Sequence, residues 1–151
     1  MSGSQEGPSI SIKSPSTLVN PPLPNGQRHR LLFVDDEADI LSVGSLVLRH
    51  LGYDTIPVTS GEAAVTALAD AHDSGQRIDA AILDLYIPNG MSGIETLEQL
   101  HRIDPDLRAI VSSGYANDPI CTNYEAHGFV ASVPKPYEIA DMARVLRRVL
   151  G

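Results

Sequence analysis

The chain has 151 residues, with 11 Lys and Arg against 19 Asp and Glu and a formal net charge of −8. That length suits one domain with a full hydrophobic core, and the acidic balance argues against direct contact with nucleic acid. The single cysteine, Cys121, excludes an intrachain disulfide or a thiolate metal cluster, and no apolar run approaches the roughly 20 residues that span a bilayer, so no direct membrane contact and a cytoplasmic location are expected.

Residues 1–29 are rich in Ser, Pro, Gly and Asn, as in Pro21-Pro22-Leu23-Pro24-Asn25-Gly26. Such composition buries too little apolar surface to offset ordering entropy, and a flexible tail or linker is expected over 1–29. Ser9-Ile10-Ser11-Ile12 alternates as an edge strand would, but the surrounding composition favours the tail. From residue 30 to 151 the pattern changes to that of one folded domain.

Leu31-Leu32-Phe33-Val34 reads as a buried strand. Ile40, Leu41, Val43, Leu46, Val47 and Leu48 then recur at helical spacing, and Gly52 ends that helix. Tyr53–Val58 reads as a second strand. Ser60 is placed to cap a helix running to about Asp73. Ala80–Leu83 is a third strand. Ile94, Leu97, Leu100 and Ile103 make a helix stripe, with Pro105 just past it. Leu107–Val111 reads as the fourth strand. A short helix is expected around Pro119–Ala126, closed by Gly128. Phe129–Val133 is the fifth strand, and Ile139, Met142, Val145, Leu146 and Val149 line a final helix. Five strand–helix alternations with continuous apolar strands predict an α/β sandwich around a parallel sheet.

Polar residues follow the strands. Asp35-Asp36-Glu37 follows the first, Asp84 the third, Ser112-Ser113-Gly114 the fourth, and Lys135-Pro136 the fifth. Open α/β sheets bind ligands beyond the carboxyl ends of their strands, where strand order reverses. In a flavodoxin-like order of 2-1-3-4-5, a fold for which that rule was framed, Asp35, Asp36 and Asp84 come together. Three neighbouring carboxylates repel unless a cation or proton intervenes. An all-oxygen donor set favours a hard ion, and Mg²⁺ takes one or two carboxylates plus phosphate oxygens. An Asp carboxylate can act as nucleophile and form an aspartyl phosphate. Lys135 offers a point charge to a phosphoryl group and Ser113 a hydroxyl. Taken singly, each residue has a plainer reading: helix-dipole matching for Asp36 and Glu37, a turn for Asp84, a solvated surface for Lys135. The set of four strand ends carries the signal.

These residues resemble the receiver domain of two-component response regulators. Leu32-Phe33-Val34-Asp35-Asp36-Glu37, Ile82-Leu83-Asp84-Leu85, Ser113-Gly114 and Lys135-Pro136 appear in the family's order across residues 30–151. The resemblance implies a flavodoxin-like doubly wound (βα)5 sandwich and a phosphoacceptor switch, with Asp84 accepting a phosphoryl group from a histidine kinase or histidine phosphotransfer protein. It implies Mg²⁺ held by Asp84, Asp36 and the Tyr86 backbone carbonyl, with Asp35 acting indirectly. Ser113 would be the switch hydroxyl and Lys135 the phosphoryl-binding lysine. Ser112 rivals Ser113, which is favoured because Gly114 leaves room beside it. Such a domain catalyses only its own phosphorylation and dephosphorylation. The segment from Asp84 to Gly93 is one residue longer than usual and looks like receivers of hybrid sensor kinases. Ser132 stands where the family often has an aromatic. Tyr86 and Tyr115 sit two residues past the phosphoacceptor and the switch hydroxyl, where bulk would restrict attacking water.

The chain ends after the last helix, so action through protein contacts, a relay role, or membership of a larger kinase are all expected outcomes. An alternative is a receiver-like binding module that works without phosphorylation. A metabolic enzyme fits less well. An aspartyl-phosphate phosphatase wants a carboxylate where Tyr86 stands, and a dinucleotide enzyme wants a glycine-rich turn where Asp35-Asp36-Glu37 stands.

Overall fold

A computed structural model describes residues 19–115 and 117–151. The expected Ser9–Ile12 alternation lies outside the described residues. The elements are β1 (Arg30–Val34), α1 (Ala38–His50), β2 (Asp54–Val58), α2 (Gly61–Asp73), β3 (Ala80–Asp84), α3 (Gly93–Ile103), β4 (Arg108–Ser113), α4 (Pro119–Thr122), a 3₁₀ turn (Tyr124–His127), β5 (Ala131–Pro134) and α5 (Ile139–Leu150).

The strands form one parallel sheet in the order 2-1-3-4-5, as expected. Alternate residues of β1 feed opposite cores. Leu32 and Val34 pack with Leu68, Leu83, Leu97, Leu100, Val111 and Phe129 on one face. Leu31 and Phe33 pack with Leu48, Ile82, Ile110, Met142 and Leu146 on the other. Both faces are covered, which is why the strands read as continuous apolar runs. Among the described residues, strand β2 pairs only with β1, and at that edge of the sheet it tolerates Pro57.

Helix α2 begins as expected, with Ser60 Oγ accepting the Ala63 N–H at 3.0 Å. Helix α3 carries a full capping box, Ser92 Oγ accepting from Glu95 N and Glu95 accepting from Ser92 N. The expected helix over Pro119–Ala126 is broken. Four α-helical residues pass through Asn123 (φ −121°, ψ 47°) into the 3₁₀ turn, which Gly128 ends at φ 91°. Thr122 and Asn123 are weak helix formers, and their side chains compete locally for backbone partners.

The boundary drawn at residue 29 falls short of the packed unit. Asn20 is buried. Its N–H donates to Leu51 O at 3.0 Å, and its Nδ2 donates to Ala143 O at 3.1 Å and to the Tyr53 hydroxyl.

Gly93 opens α3 hard against the end of β3. A Cβ there would lie 2.6 Å from Asp84 O and 3.0 Å from Leu85 Cα, both backbone atoms. Gly93→Ala must push α3 away from the strand that carries Asp84. A loss of about 2 kcal/mol is expected, within the usual overpacking range, read as a lower urea midpoint at unchanged slope.

Candidate functional site

Each candidate side chain is placed at or just past a strand end. Strand β1 ends one residue before Asp35, and its carboxylate accepts the Glu37 N–H at 3.0 Å, turning the chain into α1. Asp84 is itself the last residue of β3, and Ser112 and Ser113 close β4 rather than following it. The parallel ladder sets this extension, pairing Asp84 with Ser112 and Ser113 with Pro134.

Asp36, Asp84, Tyr86, Ser113, Lys135 and Tyr137 line one open cleft of about 800 Å³. Asp35 is fully buried. Lys135 Nζ donates to Asp35 Oδ2 at 3.0 Å and lies 3.3 Å from Asp84 Oδ2. One carboxylate oxygen each from Asp35, Asp36 and Asp84 lie within 4.8 Å of one another. That spread is close to the roughly 4 Å between opposite ligands of an octahedral Mg²⁺, and the donors are all hard oxygens. The residues present therefore fit Mg²⁺.

Burial pushes the Asp84 carboxyl up to about 6. The Lys135 charge pulls it back down, and the Asp35 charge adds to the rise. Burial works to lower the Lys135 ammonium, but its hydrogen bond to Asp35 and the charges of both carboxylates outweigh that and hold it above its ordinary value. Asp84 thus holds its proton to higher pH than an ordinary carboxyl within a tight charge triad. Burial, and next the charge of Asp118, raise the Cys121 thiol, so it lacks the thiolate character of a reactive cysteine.

The two neighbouring serines face different partners. Ser113 lines the cleft, and its Oγ accepts the Tyr115 N–H at 3.0 Å. Ser112 is fully buried and accepts the Tyr137 hydroxyl at 2.8 Å. Tyr86 and Tyr115 stand at the mouth, 51% and 68% exposed, with ring centroids 5.8 Å apart edge to face. The Tyr86 hydroxyl donates to Asp118, whose other oxygen caps α4 at Ile120 N, 2.9 Å away. That bond raises the Tyr86 phenol and lowers the Asp118 carboxyl.

Sequence reasoning missed Tyr137 and Asp118. Asp118 carried a readable signal, an Asp directly before Pro119 at a helix start. Tyr137 carried none, since its partners come from distant segments. Ser132 lies half-buried on β5 and does not line the cleft.

Among the described residues, no helix is long and apolar enough to cross a membrane. The family model described as response regulator receiver domain matches residues 31–147. Sensor kinase CckA of Brucella abortus is 30% identical over 120 residues, 80% of this chain but only 12% of CckA. Sporulation initiation phosphotransferase F of Bacillus subtilis is 27% identical over 121 residues, covering 80% of this chain and 93% of that protein. Among solved structures, CheY in the CheX–CheY–BeF₃–Mg²⁺ complex of Borrelia burgdorferi superposes with a TM-score of 0.77 at 22% identity, covering 91% of this chain and 99% of that one. A receiver domain from Methylobacillus flagellatus gives 0.68 at 26% identity, covering 82% and 99%. With an acidic pocket at the switch point of a 2-1-3-4-5 sheet and residues 31–147 matched, the chain belongs to the response regulator receiver domain family of two-component systems.

Proposed function

We propose that this domain is a phosphoacceptor switch in which Asp84 takes a phosphoryl group from a histidine on a kinase or phosphotransfer protein in the cytoplasm. The observation that carries this reading is Lys135 Nζ, 3.0 Å from Asp35 and 3.3 Å from Asp84 at the floor of a cleft open to a donor. A carboxylate oxygen of Asp84 attacks phosphorus, the P–N bond to the donor imidazole breaks, and an acyl phosphate forms. Mg²⁺, held by Asp84, Asp36 and the Tyr86 backbone carbonyl with Asp35 alongside, supplies positive charge against the transferring oxygens when bound. Lys135 then moves its ammonium from the carboxylates to the phosphoryl oxygens, and the Ser113 hydroxyl donates to one of them. The names of two relatives, a sensor kinase and a phosphotransferase, support such partners, and the similar Borrelia structure is of a complex that contains BeF₃ and Mg²⁺.

The test is incubation with acetyl phosphate and Mg²⁺, followed by intact mass and peptide mapping. A gain of one phosphoryl group on the peptide carrying Asp84, abolished by EDTA, is expected. No gain, or a gain elsewhere, overturns the reading and leaves a binding module that works without phosphorylation.

The tyrosine pair bears on how long the phosphoryl group lasts. Water must approach phosphorus through the mouth that Tyr86 and Tyr115 flank, and the Asp118 bond holds Tyr86 there. Tyr86→Ala is expected to shorten the phosphoryl lifetime severalfold, followed as loss of phosphoryl mass after the donor is removed. An unchanged decay rate refutes the shielding role.

A further inference from the structure

Strand β4 ends in two serines with separate duties. Ser113 faces the cleft, whereas Ser112 faces away into the core on the α1 and α5 side. Ser112 is nonetheless bound to the site. It pairs with Asp84 in the ladder, and its carbonyl accepts the Leu85 N–H at 2.9 Å. Its hydroxyl accepts from Tyr137, two residues before α5 begins.

The Tyr137 ring is half-buried at the edge of the cleft, with its inner side packed. It meets Phe33 of β1 edge to face with centroids 5.7 Å apart. Gly44 of α1 lies over both rings, and a Cβ there would stand 2.6 Å from the Phe33 ring and 3.4 Å from Tyr137 Cδ2. With Phe33 and Gly44 against it and its hydroxyl bonded to Ser112, the ring is held on its inner side. The start of α5 is therefore fastened to the site at two points on either side of Pro136: Lys135 to the carboxylates, and Tyr137 to Ser112.

We infer that Tyr137 is a positioning residue whose hydroxyl, bonded to Ser112, carries displacement of the β4 end into the first turn of α5. The inference rests on the phosphoacceptor reading, which supplies the displacement. When Ser113 turns from the Tyr115 N–H to a phosphoryl oxygen, the end of β4 shifts with it. Ser112 is the next residue and moves too. Its bond to a ring packed against Phe33 and Gly44 passes the movement to residues 137–142, where Met142 N is bonded to Glu138 O at 3.0 Å. Coupling of this kind is a free energy shared by two places, and removing the bond removes it from both. The absence of an aromatic at Ser132 leaves this contact as a route from β4 to α5 that does not pass through that position.

The test is hydrogen–deuterium exchange of the full chain with and without Mg²⁺ and BeF₃⁻, a phosphoryl mimic. Occupancy of Asp84 is read in each sample from the exchange change around Ser113, and the change over 138–143 is scaled to it. Wild-type protein is expected to show both changes. Tyr137→Phe keeps the ring packing and removes only the hydroxyl, and the scaled change over 138–143 is expected to be lost. Ser112→Ala removes the acceptor instead and is expected to give the same loss, with no further effect in the double variant. A merely structural hydroxyl would alter exchange over α5 equally with and without BeF₃⁻, and that result overturns the inference. A wild-type-sized response in Tyr137→Phe or in Ser112→Ala also overturns it. So does a wild-type response at Ser113 that never reaches α5, while leaving the phosphoacceptor reading intact. No response anywhere in wild type overturns both.

Discussion

Asp84→Asn protein is expected to gain no phosphoryl group from acetyl phosphate and Mg²⁺, and to be more stable than wild type in EDTA at neutral pH. The first result follows because an amide is no nucleophile toward phosphorus. The second follows from the placement of the carboxylate. Burial raises Asp84 from 3.8 to about 6, while Lys135 only partly offsets the burial and the charge of Asp35. Between those values the folded protein binds a proton that the unfolded chain has released. Wild-type stability therefore falls as pH rises from about 4 to about 6 and stays low above it. The amide has no charge to bury and escapes that loss. One pKa unit is worth about 1.4 kcal/mol, and the open cleft screens part of the shift, so the pH-dependent gain is on the order of 1–2 kcal/mol. The Lys135 contact is already contained in that value of about 6, so its loss in the amide changes the size of the stability difference and not the direction in which it moves with pH. Urea denaturation of both proteins at pH 4 and pH 7 in EDTA checks this. The stability difference must shift in favour of the amide at pH 7. Added Mg²⁺ should then stabilise wild type more than the variant, because a bound ion favours the folded state by mass action.

A less stable wild-type arrangement would fit the proposed phosphoacceptor role. A carboxylate that ionises reluctantly, beside a second carboxylate and one ammonium, is what the proposed uptake of a cation and a phosphoryl group would draw on. The same physics decides what was legible in the sequence. Strand β1 was readable because both its faces are buried, leaving an unbroken run from Leu31 to Val34. Helix α2 was readable at its start because Ser60 is a local cap. The acidic cluster was readable because strand order brings the ends of β1 and β3 together. Strand ends were read short at Asp84 and at Ser112-Ser113, because pairing with the neighbouring strand, not local composition, extends them. Asn20 was read as tail because its partners, Leu51, Tyr53 and Ala143, are remote in sequence. Tyr137 was passed over for the same reason, with Phe33, Gly44 and Ser112 reaching it from three other elements.

Removing the ammonium should have the opposite effect to removing the carboxylate. Lys135→Met keeps the apolar stem and deletes the charge that stands 3.0 Å from Asp35 and 3.3 Å from Asp84. Two largely buried carboxylates then face each other without a partner. Breaking a buried ion pair on one side costs about 3–5 kcal/mol, and the open side of the cleft reduces that to about 2–3 kcal/mol at neutral pH in EDTA. The loss has a defined pH window. Lys135 is raised above its ordinary value by its hydrogen bond to Asp35 and the charges of both carboxylates, despite burial. Its stabilisation is thus fully present below the unfolded lysine pKa and disappears as pH rises through the folded one. On the acid side, protonation of Asp84 near pH 6 removes one of the two charges that Lys135 serves, so the gap between variant and wild type narrows below that pH. Mg²⁺ supplies the variant with the positive charge it lost. Titration with Mg²⁺ at pH 7.5, followed by thermal melting, should therefore raise the melting temperature of Lys135→Met more than that of wild type. An equal rise in both proteins means that Lys135 and the ion do not share the Asp35 and Asp84 carboxylates, and it refutes the charge accounting on which the phosphoryl-binding role of Lys135 depends.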